Sequence, residues 1–344
     1  MALSRSQARL YAELVERHGR LIADAFFKAM ADLRALADVQ RVTAALEAGN
    51  IDAAVDALSL DPAVYNDVLE KVRAAHMEGG NTAAAAMPKR GLDGVALAIR
   101  FDGRNLGAER ILAEQSAKLI TRMVAGDREV ARRALTEGMV RGDNPKRVAL
   151  DVVGRVSRVT GKREGGVLGL SAPQERAVAA ARRELASSNP KLLRNYLRRP
   201  RRDKRFDRSV EKAILEGGAL PKDKVGRMIT AYSNSLLKRR GDVVGMHETF
   251  SAIESAKAEA YRQAVESGKV PAAAVTKTWR HFDSKNPRHQ HVEIDGQTVA
   301  LNDPFVMPDG TVMQHPHDPN APVGHTAGCL CQADYRIDFL AGLR

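Results

Sequence analysis

The sequence predicts a mainly α fold, a long helical body followed by a small C-terminal α+β domain. Three observations predict it. Apolar residues recur at three- and four-residue spacings from near the start to about Gly268, the period of buried helix faces. Beyond Gly268 the pattern changes to short alternating stretches broken by Asp-Gly and Pro-Asp-Gly turns. Most of the chemically distinctive residues also gather there. Six of the nine histidines (His281, His289, His291, His315, His317, His325), both cysteines (Cys329, Cys331) and the only tryptophan (Trp279) lie between Trp279 and Cys331. The expected organisation is an N-terminal helical module over 1–90, a helical body over 91–270 containing a basic segment at 191–212, and the α+β domain over 271–344.

Taken in order, Ser4 to about Glu47 carries Leu10, Leu14, His18, Leu21, Ala25 and Phe26 at helical spacing, and Asn50 and Asp52 interrupt it. Asp61-Pro62 starts another helix, with a capping carboxylate and a proline in the first turn. Val64, Val68 and Val72 then share one face. Gly79-Gly80 is expected to end or kink that helix, and Lys89-Arg90-Gly91-Leu92 reads as a hinge. Val95 to Phe101 is apolar, fitting a short strand or a buried segment. A helical pattern follows over Ala108 to Met123, and Asp127 is expected to cap a second helix from Val130 to Arg141. Gly142-Asp143-Asn144-Pro145 is a turn leading into Arg147 to Val159, where Val148, Val152 and Val156 align. Gly165 to Ser171 lacks the Gly-Lys-Ser/Thr ending of a P-loop and does not match G-x-G-x-x-G, so it reads as a connector rather than a phosphate cradle. A last long helix places Met246, Phe250, Ile253, Ala260 and Ala264 along one side and stops at Gly268. Its Glu248, Glu254 and Glu259 are expected to be surface charge partners rather than acids or bases. In the C-terminal domain, strands are expected at Val275 to Arg280, Gln297 to Leu301, Thr311 to Met313 and within Cys329 to Ile337.

Composition narrows the function classes. Hydrophobic residues make up 44% of the chain but aromatics only 4%, so the core has to be mostly Ala, Leu and Val. The net charge of +12 makes the surface attractive to phosphate backbones or acidic proteins. No apolar run of membrane-spanning length is present, and Met1 to Arg20 lacks the apolar core of a signal peptide, so the expected protein is soluble and unexported, with no membrane partner and no small-molecule substrate. Two cysteines one residue apart cannot make an unstrained disulfide framework and read as reduced thiols or ligands.

The strongest charge feature is the segment containing Arg198, Arg199, Arg201, Arg202, Lys204, Arg205, Arg208 and Lys212. If a helix begins after Pro200, then Arg201, Lys204, Arg205, Arg208 and Lys212 share one face and Phe206, Val210, Ala213 and Ile214 the other. Such a ridge suits the phosphates of double-stranded DNA or an acidic neighbouring subunit. Asp203, Asp207 and Glu211 would neutralise part of it.

In the C-terminal domain the donors are those zinc favours, thiolate and imidazole. His325, Cys329 and Cys331 are three candidate ligands, and His291 or His289 supplies the fourth after the chain reverses; the set chosen is His291, His325, Cys329 and Cys331. A hydrolase using the His289-x-His291 pair with Asp283 is the competing class, but the sequence singles out no base or nucleophile for it. A stand-alone DNA-binding protein is the other.

The order of residues is more specific than their composition. Trp279, Asp283, Arg288-His289-x-His291, Ile294-Asp295-Gly296, Asp303-Pro304-Phe305, Pro308-x-Gly310, Pro316-x-Asp318-Pro319 and Cys329-x-Cys331 together resemble the C-terminal domain of the phage Mu F-like head-morphogenesis proteins, also called minor head proteins. His291 stands where that family usually has a histidine four residues before the Asp-Gly turn. Leu330 replaces the arginine of the usual Cys-Arg-Cys, and His247-Glu248-Thr249 lies where Arg-Thr-Glu is common. The stretch around Gly165 to Ser171 is similar to related prophage proteins, which extends the likeness from about Phe101 to Leu343. The resemblance implies a non-enzymatic virion component inside the head, assembled in the host cytoplasm in few copies. Its partners would be the portal and the major capsid protein, and its role head assembly, DNA packaging or DNA delivery.

Overall fold

The computed structural model describes residues 5–282 and 287–341; Ser4, Asp283 and Leu343 lie outside the described residues. The fold is mainly α with small antiparallel sheets near the C-terminus, as the periodicity indicates. Its contacts form two compact units, each assembled from separated stretches. The first comprises Met1–Ala25, Asp67–Leu119 and Asp242–Arg344, and the second Phe26–Asn66 and Ile120–Gly241. The units interleave along the chain. The physical reason is that three helices, α1 (Arg5–Leu36), α5 (Leu106–Val140) and α10 (Lys222–Glu266), contribute residues to both.

In the second unit, α1 ends at Leu36, and Asp38 starts α2 (Val39–Glu47) by accepting the backbone N–H groups of Gln40 and Arg41. This carboxylate cap divides the single helix expected up to Glu47. Asn50 likewise caps α3 (Ile51–Asp56), and Asp61 caps a 3-10 turn at Pro62–Tyr65. The helix α5 runs uninterrupted through Asp127, correcting the expected pair of helices. Asp127 is buried and points inward, where the Tyr65 hydroxyl donates to it and Arg240 lies 3.4 Å away. Burial raises its carboxyl pKa, while Arg240 opposes the rise. α6 (Pro145–Val153) is shorter than expected because Gly154, at φ 87°, turns the chain into β1 (Arg155–Val156), which pairs with β2 (Arg163–Glu164). The connector that follows is a packed element: Val167, Leu168 and Leu170 are buried, and Arg34 donates to the Leu168 carbonyl at 2.7 Å. A capping box of Ser171 and Gln174 then opens α7 (Ala172–Ala186), followed by α8 (Pro190–Leu197) and α9 (Asp207–Glu216).

In the first unit, α4 (Asn66–Ala86) passes straight through Gly79-Gly80. These glycines permit close packing rather than a kink. A Cβ at Gly80 would lie 2.4 Å from the Phe101 ring, and one at Gly79 3.1 Å from the Ile253 backbone. Gly245 of α10 meets Gly19 of α1 in the same way, with a Cβ there falling 2.2 Å from the Gly19 carbonyl oxygen. Val95 to Ile99 is irregular with one isolated bridge, and Phe101 is its buried anchor. After α10 the chain forms a three-stranded antiparallel sheet in the order β4 (Thr298–Ala300), β3 (Val275–Arg280), β7 (Gln332–Ile337), preceded in β4 by α11 (His289–Glu293). A second hairpin pairs β5 (Phe305–Val306) with β6 (Val312–Met313), and α12 (Val323–Thr326) precedes β7.

The sheet is fastened to α10 by polar groups. Lys257 donates to Glu254 at 2.8 Å and to the Ala333 carbonyl at 2.7 Å, while the Ala333 N–H donates to the second oxygen of Glu254 at 3.0 Å. Glu248, Glu254 and Glu259 are all buried, so the expectation of surface pairing is corrected. On this helix the carboxylates face the protein because a strand end and neighbouring donors are there to meet them.

Candidate metal centre

The candidate site forms where β3 ends and β7 begins. Trp279, fully buried at the end of β3, sets its edge against two rings, His291 at 5.2 Å and Phe305 at 5.3 Å between centroids. Burying a side chain of this size stabilises by about 1.5–3 kcal/mol, enough to hold the floor of the site in place. α11 delivers His291. Arg288, just before it, donates to the carbonyls of Gly324 (2.6 Å) and Ala327. Gly328, at φ 68°, then reverses the chain into Cys329, and the Cys331 N–H donates back to the Cys329 sulfur at 3.3 Å. Both sulfurs therefore point inward beside His291.

Among the described residues, only His291, Cys329 and Cys331 form a group of three or more potential ligands whose atoms lie within 4.8 Å of one another, and all three are buried. The His291 Nδ1 stands 3.4 Å from the Cys329 sulfur and 3.5 Å from the Cys331 sulfur. A tetrahedral ion with metal–sulfur bonds near 2.3 Å and metal–nitrogen bonds near 2.0–2.1 Å separates such donors by roughly 3.5 Å. The cluster is thus close enough to bind a metal. The two thiols share the polarity of one another: Cys329 is lowered, first by the hydrogen bond from Cys331 and then by His291 and His317, and Cys331 is raised by Cys329 and by burial.

His325 is placed differently from the ligand role expected of it. Its Nδ1 faces the Nε2 of His291 at 3.2 Å, and its own Nε2 faces Asp309 at 3.0 Å, with the two imidazoles stacked at 5.5 Å. The reason is local: α12 holds His325 on the far side of the His291 ring from the thiols. His289, the alternative fourth ligand, is exposed on α11. Asp283 lies outside the described residues, so its part in a hydrolytic constellation is not carried further. Two further histidines lie outside the set chosen from the sequence. His281, half-buried, has its Nδ1 3.6 Å from the Cys331 sulfur. His317, only 1% exposed, stacks on Phe250 at 4.6 Å, and neither of its ring nitrogens has a hydrogen-bond partner. The His-Pro-His-Asp run at 315–318 was the available signal, but nothing in its spacing separates His317 from His315. His315 is absorbed by hydrogen bonding to the Pro316 carbonyl (2.8 Å) and the Ser255 hydroxyl (3.3 Å). Burial lowers its pKa.

The basic segment belongs to the second unit and is not one helical ridge. Arg201 sits in a turn at φ 66°, Lys204–Phe206 is a 3-10 turn, and the helix starts only at Asp207. Asp203 is the cause: it accepts the Arg205 N–H and caps the 3-10 turn, delaying the helix. Four of the cations are paired: Arg199 with Glu184 (2.6 Å), Arg202 with Asp207 (2.8 Å), Arg205 with Asp203 (2.7 Å) and Lys212 with Glu216 (3.6 Å). Arg198, Lys204 and Arg208 are exposed. Arg201, Arg202 and Arg205 also line a cleft of about 980 Å³ together with Arg147, Arg155, Arg182, Lys222 and Arg227. Sequence reasoning missed these partners because they come from α6, β1, α7 and α10.

No family model, curated protein or solved structure matches this chain. Among the described residues no helix is long and apolar enough to cross a membrane.

Proposed function

We propose that this chain is a Mu F-like minor head protein of a phage or prophage, a non-enzymatic component held inside the head near the portal. The observation that carries the reading is the ordered residue series of the C-terminal domain. Its members Trp279, His291, Phe305, Cys329 and Cys331 are buried and meet around one cluster, with the Asp295-Gly296 and Asp309-Gly310 turns at its margin. The metal of that cluster is zinc, which suits two thiolates and an imidazole in a buried, loop-rich unit and would contribute directly to its folding. The cationic cleft of the second unit meets the phosphates of packaged double-stranded DNA or the carboxylates of an acidic neighbouring subunit. Its partners are the portal and the major capsid protein.

The test is affinity capture of the tagged full chain from cells that also express the neighbouring head genes. Recovery of portal or major capsid protein is the expected result. Recovery of nucleic acid alone, or of nothing, would overturn the head-assembly reading and favour a stand-alone DNA-binding protein. Detection of a cleavage activity lost on substitution of His291 would instead establish the hydrolase.

A further inference from the structure

We propose that the cleft of the second unit is a binding site for a phosphodiester strand, held by Arg147, Arg201, Lys222 and the N-terminus of α10, with Gly226 leaving the backbone bare for close approach. The inference rests on the anion-binding reading of the cleft given above and goes beyond it by naming the occupant and the residues that hold it.

Every residue that lines the cleft belongs to the second unit. Eight cations line it against four carboxylates, and the carboxylates are already engaged. Asp151 meets Arg155 at 2.9 Å and also Arg182, Asp203 meets Arg205, and Asp223 meets Arg227 at 3.0 Å. Glu164 accepts the Thr160 hydroxyl at 2.8 Å. Arg147, Arg201 and Lys222 are exposed and have no ion pair among the described residues. Burial, and then the like charges of Arg141 and Arg147, lower the Arg182 guanidinium to about 10, so an anion in the cleft relieves repulsion as well as gaining attraction. The N-terminus of α10 opens on the same space. Val225 is the first residue there to close a helical turn, its N–H donating to the Pro221 carbonyl at 3.0 Å, so the amides before it have no helical acceptor and add partial positive charge. Along α10 the lining runs from Lys222 to Ser235, about 20 Å at 1.5 Å per residue, a length that suits an extended strand rather than one small anion.

Two residues on the wall are poor choices for the fold and good ones for such a ligand. Arg201 sits at φ 66°, where a side chain is strained and glycine is at ease. Gly226 is the converse. It lies exposed within α10, and a Cβ on it would meet nothing within 4 Å. Neither packing nor backbone conformation calls for glycine there, and glycine weakens a helix relative to alanine. The missing Cβ, one turn into the helix, lets a phosphate come close to the backbone, while a guanidinium held on a turn offers a phosphate two parallel hydrogen bonds. Departures from local preference gathered at one cleft mark a functional site. A phosphodiester chain carries a charge on every unit, which suits cations drawn from α6, β1, α7, α10 and the turn at Arg201 better than a peptide that must supply a carboxylate at each. Phe206 is the one aromatic residue on the wall, so there is little for bases to stack on, and the contact is to the backbone and independent of sequence.

Fluorescence anisotropy of the purified full chain with labelled short duplex DNA, oligo(dT) and poly-glutamate, titrated at several salt concentrations, tests the assignment. An oligonucleotide is expected to bind more tightly than poly-glutamate, and whichever of duplex and oligo(dT) binds better identifies the strand as paired or free. Arg201→Gly should lower that affinity by about 10-fold and the slope of log affinity against log salt by about 1, the loss of one phosphate contact. Gly226→Ala should lower affinity by about 5-fold with the slope unchanged, because it obstructs approach without removing a charge. Both variants should unfold in urea at the same midpoint as the parent or a higher one, since each replaces a locally unfavourable residue. Unchanged binding in both variants would overturn the proposal, as would a lowered unfolding midpoint, which would show that the two residues serve the fold, or a parent chain that binds none of the three probes. Tighter binding of poly-glutamate, lost in the same variants, would replace the strand with an acidic protein segment. The head-assembly reading is judged separately, by recovery of portal or major capsid protein in the capture experiment, so either can fail alone.

Discussion

The basic segment of one unit and the histidine–cysteine cluster of the other are both dense in polar side chains, yet their surroundings handle them in opposite ways. Around Arg198 to Lys212 the exposed charges find carboxylates a few residues away, as Arg205 does with Asp203 and Lys212 with Glu216. Around His291 the polar groups are withdrawn from water and must be satisfied by one another. Surface pairs of the first kind contribute little to stability because water screens them and side-chain entropy opposes them. Buried groups of the second kind have no alternative partner, so removal of one leaves a full desolvation cost behind. Local charge density is therefore a poor guide to which region the fold depends on, and burial a good one.

The comparison breaks first at Lys257. If buried polar groups hold the C-terminal sheet to α10, then Lys257→Ala, which strands Glu254 and the Ala333 carbonyl, should destabilise the protein by about 3–5 kcal/mol. Urea unfolding followed by fluorescence of Trp279, the only tryptophan, reports on this unit. A loss under about 1 kcal/mol would mean that the buried pair behaves like a surface one.

A second, smaller effect concerns protons. His76 is fully buried against Phe101, and desolvation lowers its pKa from 6.5 to about 4, partly offset by the accepting backbone carbonyl of Ala252. The unfolded chain therefore binds a proton in this window that the folded chain does not. Stability is complete above about 6.5 and falls as pH drops toward about 4, by roughly 3 kcal/mol from this one group. His76→Phe should remove that portion of the pH dependence in unfolding curves measured across the window. An unchanged slope would show that His76 is protonated in the fold.

Much of the architecture was legible in the sequence, and the failures share a cause. The three- and four-residue periodicity located the helices, and alternation with Asp-Gly and Pro-Asp-Gly located β3 and the turns around β4 and β6, because those signals are local. Gly79-Gly80 and Asp127 misled because their neighbours, Phe101 and Tyr65, are distant in sequence: a close ring or a buried hydroxyl turns a helix breaker or cap into a packing residue. Glu254 misled in the same way, through Lys257 and Ala333. In the site, Cys329, Cys331 and His291 converge as their residue types suggested. Where His317 and His325 lie relative to them depends on the depth of the 315–318 loop and the orientation of α12, and no spacing records either.

The cationic cleft tests the other half of the comparison. Arg147, Arg201 and Lys222 line it without a carboxylate partner among the described residues, unlike Arg202 and Arg205. Substituting these three with Gln should lower the salt dependence of duplex DNA binding by about 2–3 in the slope of log affinity against log salt, if each touches one phosphate. A wild-type chain with no salt-dependent affinity for duplex would leave the acidic subunit as the partner of this cleft.

The smallest effect is the sharpest statement of what surface pairing is worth. Lys212 meets Glu216 one turn along α9 at 3.6 Å, with both side chains more than half exposed. A pair of this kind contributes about 0.3–0.5 kcal/mol on a helix, and alanine recovers part of that through its better helix propensity. Lys212→Ala should therefore leave stability within about 0.5 kcal/mol of the parent while removing one of the cations that mark the segment in sequence. If it instead destabilises as strongly as Lys257→Ala, the surface network is cooperative, and the contrast between exposed and buried polar groups does not hold for this protein.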